Sequence, residues 1–101
     1  MDIVVEYKEK DGFDVRIKGL DKVPLPGARE RYYQKVMGHV VDRMDNYYDT
    51  EGLSDIDWKI FKTSGRTDMI IEVLWNDEYR LPDDNTIISN VKRWIEEVVI
   101  Y

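Results

Sequence analysis

Cysteine is absent from this 101-residue chain, which excludes a disulfide framework, a thiolate metal site and a cysteine nucleophile, and suits a reducing compartment. A cytoplasmic protein is therefore expected. The start, Met1-Asp2-Ile3 with Glu6 close behind, has neither the basic nor the apolar region of a secretory signal. Long apolar runs are missing too. The longest, Val98 to Tyr101, has four residues, far short of a membrane-spanning helix.

Positive charge is scarce. Fifteen Lys and Arg face 21 Asp and Glu, a formal net charge of -6. Nucleic acids and anionic membranes are held chiefly by Lys and Arg on phosphates, so neither is expected as a partner, whereas a basic protein is. The imbalance is uneven: residues 1–50 are nearly neutral, and residues 51–101 carry 11 acidic against 6 basic side chains. Proline occurs three times and apolar residues make up 43%, a composition that folds rather than remaining disordered. At this length one domain, residues 1–101, is expected.

Within that domain a pattern recurs about 55 residues apart. Each half reads as strand, turn, strand, a Leu-Pro pair and a helix, with Asp11-Gly12, Leu25-Pro26 and Ala28 answered by Ser64-Gly65, Leu81-Pro82 and Thr86. Ile3, Val5 and Tyr7, then Phe13, Val15 and Ile17, alternate with polar residues as in half-buried strands. A loop of Lys10-Asp11-Gly12 would pair Tyr7 with Val15 and Val5 with Ile17. In the second hairpin, a four-residue loop from Ser64 to Thr67 would set Trp58 opposite Val73 and Lys59 opposite Glu72. Asn76-Asp77 could lead into a brief edge strand through Tyr79.

Helices are predicted from about Gly27 to Tyr48 and from about Thr86 to Val99. The first has Tyr33, Val36, Met37, Val40, Val41, Met44 and Tyr47 or Tyr48 at helical spacing, the second Ile87 or Ile88, Val91, Trp94, Ile95 and Val98. Asp83, Asp84 and Asn85 suit the start of the second helix. The expected fold is α+β: two ββα pseudo-repeats, residues 1–50 and 51–101, forming a two-layer sandwich. A four-stranded, mainly antiparallel sheet would carry both helices on one face.

Catalytic signatures are thin. His39 is the one histidine and falls beside the polar helix face, and Ser54, Ser64 and Ser89 lie in no nucleophile motif. Neither phosphate-binding glycine motif occurs. No enzyme activity, cofactor or metal is expected. Asp42, Asp45, Asp49, Glu51, Asp55 and Asp57 form a dense acidic tract, but with Gly52 as the sixth residue of a calcium loop, Tyr47 would occupy the first ligand position.

Two candidate surfaces remain. Phe61, Ile70 and Leu74 place apolar side chains on the second sheet face, and with the terminal Tyr101 they suggest a homodimer or partner interface. The acidic tract suggests docking on a basic partner. The leading expectation is a non-catalytic, acidic interaction or regulatory module. The alternatives are an acidic inhibitor or immunity-type protein of viral or mobile-element kind, which docks on a basic nucleic-acid-binding protein, and a ligand binder or enzyme around Trp58, Trp75 and Trp94.

Overall fold

A computed structural model describes residues 2–9, 11–19, 29–48, 52–63, 65–76 and 78–99. The elements are β1 (Asp2–Lys8), β2 (Gly12–Lys18), α1 (Arg29–Tyr48), β3 (Leu53–Thr63), β4 (Arg66–Trp75) and α2 (Asp84–Val99). The four strands form one sheet in the order β1-β2-β4-β3, every neighbouring pair antiparallel, so the protein is α+β.

Alternation along the strands decides what the sheet buries. Phe13, Val15 and Ile17 of β2 and Met69, Ile71, Val73 and Trp75 of β4 are buried on one face. The same cluster takes Tyr33, Val36, Met37, Val40, Met44 and Tyr48 from α1 and Ile87, Val91, Trp94 and Ile95 from α2. Each fully buried aliphatic of this kind contributes about 2 kcal/mol. The periodicity left two choices open, and packing resolves them. Tyr48 and Ile87 are buried, whereas Tyr47 is exposed and Ile88 half-buried.

Both hairpin registers depart from the sequence expectation by two residues. Tyr7 pairs with Phe13, Val5 with Val15 and Ile3 with Ile17, and the ladder ends at Lys8 with Gly12. Glu9 takes the left-handed φ of 38°, and the Asp11 amide donates to the Lys8 carbonyl over 2.8 Å. Gly12 therefore belongs to β2. An added Cβ there would lie 1.9 Å from the Val73 carbonyl oxygen, so glycine lets β4 approach. In the second hairpin, Thr63 pairs with Arg66, Ile60 with Met69 and Trp58 with Ile71. A slip of two preserves which face each side chain occupies, so hydrophobic pattern alone does not resolve it.

Among the described residues between β4 and α2 none is in a strand, so the expected edge strand through Tyr79 is not formed. The Tyr79 amide donates to the Asn76 carbonyl and the Glu78 amide to the Asn76 side chain. The segment expected from Leu20 to Leu25, and the helix start at Gly27 and Ala28, lie outside the described residues. Helix α2 begins at Asp84, two residues earlier than expected, with the Asp84 carboxylate at its positive end.

Candidate functional site

The sheet face opposite the core is a lattice of charges. Glu6 pairs across strands with Asp14, Asp14 with Glu72 and Glu72 with Asp57, so one row of four carboxylates crosses the whole sheet. Like charges directly opposite one another repel, and cations on the diagonals offset this. Lys8 Nζ lies 3.1 Å from Asp14, Arg16 Nε 3.3 Å from Glu6 and Lys59 Nζ 3.5 Å from Glu72. Asp57 is different: its carboxylate accepts the Trp58 amide at 2.8 Å, and among the described residues no cation pairs with it.

This lattice changes how the apolar candidates are presented. Ile70 sits between Arg16 and Lys59 and is buried, under side chains whose methylene stems cover apolar surface while their charged ends reach carboxylates. Phe61 is half-buried beside Asp68, and only Leu74 stands well exposed, at 48%. Tyr101 lies outside the described residues. The structure therefore separates Leu74 from Ile70 by the carboxylate row.

The acidic tract is also divided. Asp42 and Asp45 are exposed on α1. Asp55 and Asp57 alternate with core-packed Ile56 and Trp58, which turns them to the other side of the sheet. Asp49 and Glu51 lie outside the described residues.

A surface that the sequence did not single out lies where the β1–β2 turn, the start of β3, the end of β4 and the start of α2 meet. The segment after β4 crosses this end of the sheet. Trp75 Nε1 donates to the Tyr79 carbonyl at 3.1 Å, and the Tyr79 ring packs over Gly52. Farther on, the Tyr7 hydroxyl donates to the Pro82 carbonyl at 2.7 Å. Three of the large exposed hydrophobic side chains, Tyr7, Leu74 and Tyr79, belong to this end, each between 44% and 51% exposed, but they do not share a face: Tyr7 pairs with Phe13 on the core side, whereas Leu74 lies with Glu72 on the opposite side. Around them are exposed carboxylates: Glu9 and Asp11 on the turn, Asp55 on β3, and Glu78, Asp83 and Asp84 on the approach to α2. Lys8 and Arg80 are the described cations at this end. The negative field is felt locally, since the Tyr7 hydroxyl is raised above its ordinary pKa of 10.0 by burial first and then by Asp84 and Asp83. The signal in the sequence was present in Asp83 and Asp84, but their helix-capping role accounted for them, and only the chain path brings Tyr7 beside them.

His39 is half-buried, with Nε2 3.0 Å from a Glu97 carboxylate that also meets Arg43 at 3.4 Å. Of the three tryptophans, Trp75 and Trp94 are buried in the core cluster, each packed against Tyr48, and Trp58 is packed against that cluster from the sheet edge. Among the described residues no group of carboxylates and histidine is arranged to hold a metal ion, and no helix is long and apolar enough to cross a membrane. No protein-family model matches the chain, and no curated protein or solved structure matches it.

Proposed function

We propose that this protein is a non-catalytic interaction module, a single cytoplasmic domain that docks on a basic protein partner through its acidic, tyrosine-bearing end. The observation that carries the reading is Tyr7, hydrogen-bonded to Pro82 beside Asp83 and Asp84, at an end of the sheet where Tyr79 and further exposed carboxylates also stand. Tyrosines supply rigid contact area at small entropic cost, and a rim of one charge sign steers an oppositely charged partner. The scaffold behind it is two ββα repeats in two layers about a pseudo-two-fold axis. The central β2–β4 pairing and the two outer strands β1 and β3 support that description.

Electrostatic docking of this kind weakens steeply with salt. Affinity capture from the native host, run at low and high ionic strength, should yield a basic partner that is lost at high salt and lost with an Asp83→Lys/Asp84→Lys variant. A partner held equally by the variant and indifferent to salt would overturn the reading. An inhibitor that presents carboxylates in place of nucleic-acid phosphates is the same docking with a nucleic-acid-binding partner, and competition by DNA or RNA for the captured protein distinguishes it.

A further inference from the structure

Strand β3 is an outer strand whose sequence is self-complementary about Trp58. Ile56 and Ile60 flank it symmetrically, and between them Asp57 and Lys59 are of opposite charge. We propose that β3 pairs antiparallel with β3 of a second copy, centred on Trp58, to make a two-fold symmetric dimer with one continuous sheet. In this register Trp58 faces Trp58, Ile56 faces Ile60, and Asp57 faces Lys59 of the second copy, twice by symmetry.

The backbone of β3 fits this register. In an antiparallel ladder such as β3–β4, alternate residues of a strand turn their amides and carbonyls toward the partner and the rest turn theirs outward. The outward set contains Ile56, Trp58 and Ile60, the same parity that the proposed pairing needs. Two hydrogen bonds confirm the direction of these amides: Ile56 N–H donates to the Asp55 carboxylate at 2.9 Å and Trp58 N–H to the Asp57 carboxylate at 2.8 Å. These carboxylates occupy edge donors in the single chain. When the second strand arrives, its carbonyls take those amides, and Asp57 is released to the opposing lysine.

Two further features identify a second copy as the occupant. Of the carboxylate row Glu6-Asp14-Glu72-Asp57, the member at the β3 edge is the one without a cation among the described residues. Lys59 of the second copy stands opposite it in this register, and the Lys59 side chain is 66% exposed. On the core side, Ile56, Trp58 and Ile60 are only partly buried, although they pack against the core cluster. A paired strand would cover their open flank with the same residues in reverse order. This surface shares only Asp55 with the acidic end, and Asp83 and Asp84 lie outside β3, so the dimer and the docking of a basic partner are tested by separate variants.

Sedimentation analysis from micromolar to sub-millimolar concentration tests the pairing. The wild-type chain should self-associate to a dimer and no further, because the two-fold register consumes both β3 edges. Asp57→Lys or Lys59→Asp alone places like charges opposite each other twice and should weaken association by about ten-fold or more. The double variant Asp57→Lys/Lys59→Asp should restore it to near the wild-type level. Asp57→Lys also gains a favourable neighbour in Glu72, so loss of folding does not explain its effect, and circular dichroism verifies this for each variant. A monomeric wild type over the whole range, or a dimer unaffected by the single reversals or not rescued by the double, would overturn the proposal.

Discussion

Single residues carry constraints that their identity explains once their neighbours are known. Gly12 combines a φ of 131° with a β4 carbonyl where its Cβ would stand. Gly12→Ala should therefore cost about 3 kcal/mol or more in chemical denaturation, because either strand β4 shifts or the turn breaks. Tyr7→Phe should cost about 1 kcal/mol, the value of the lost hydrogen bond to Pro82. The same residue gives a pH dependence. Its hydroxyl is raised above 10.0, and the Lys8 ammonium is raised above 10.5, chiefly by its hydrogen bond to Asp14. A pKa raised on folding gives stability that is complete below the unfolded value and lost as pH rises through the folded one. Thermal unfolding scans should accordingly show a midpoint that is level below about pH 10 on this account and falls above it, with a shallower fall in Tyr7→Phe.

At the scale of elements, helix α1 contains an avoidable weakness. Gly38 lies in its middle, and an added Cβ would meet nothing within 4 Å. Gly38→Ala should stabilise the protein by about 1 kcal/mol, read from the denaturation midpoint at unchanged slope. The strands carry a different lesson. Ile70 looks like a misplaced apolar residue in the sequence, yet its burial between Arg16 and Lys59 makes it part of the packing. Ile70→Ala should cost about 2 kcal/mol, where a solvent-facing isoleucine would cost almost nothing. Parity was legible in β2 and β3, because Val15 and Ile17 alternate with Asp14, Arg16 and Lys18, and Ile56, Trp58 and Ile60 with Asp55, Asp57 and Lys59. Register was not, because a shift of two leaves that alternation intact while replacing every cross-strand partner. Hence Lys59 and Glu72 do form an ion pair, but on a diagonal instead of directly opposite.

At the scale of the molecule, one cluster joins the sheet to both helices, so loss of one element exposes the rest. Ile71, fully buried at its centre, is the position to test this. Ile71→Ala should cost about 2–5 kcal/mol and leave unfolding a single transition by far-ultraviolet and near-ultraviolet circular dichroism alike. Non-coincident transitions would show that the helices and sheet come apart separately. By itself, the sequence determined the class of fold, the strand faces and most of the helix faces, since these follow from periods of 2 and 3.6 in side-chain polarity. It also determined the negative charge and the lack of cysteine chemistry. Tertiary structure decided the strand order, the row of carboxylates, and the position of Asp57 at the edge of the sheet. It also decided the meeting of Tyr7 with Pro82, Asp83 and Asp84. These depend on residues distant in the chain arriving at one place, and periodicity carries no information about which ends of different elements meet.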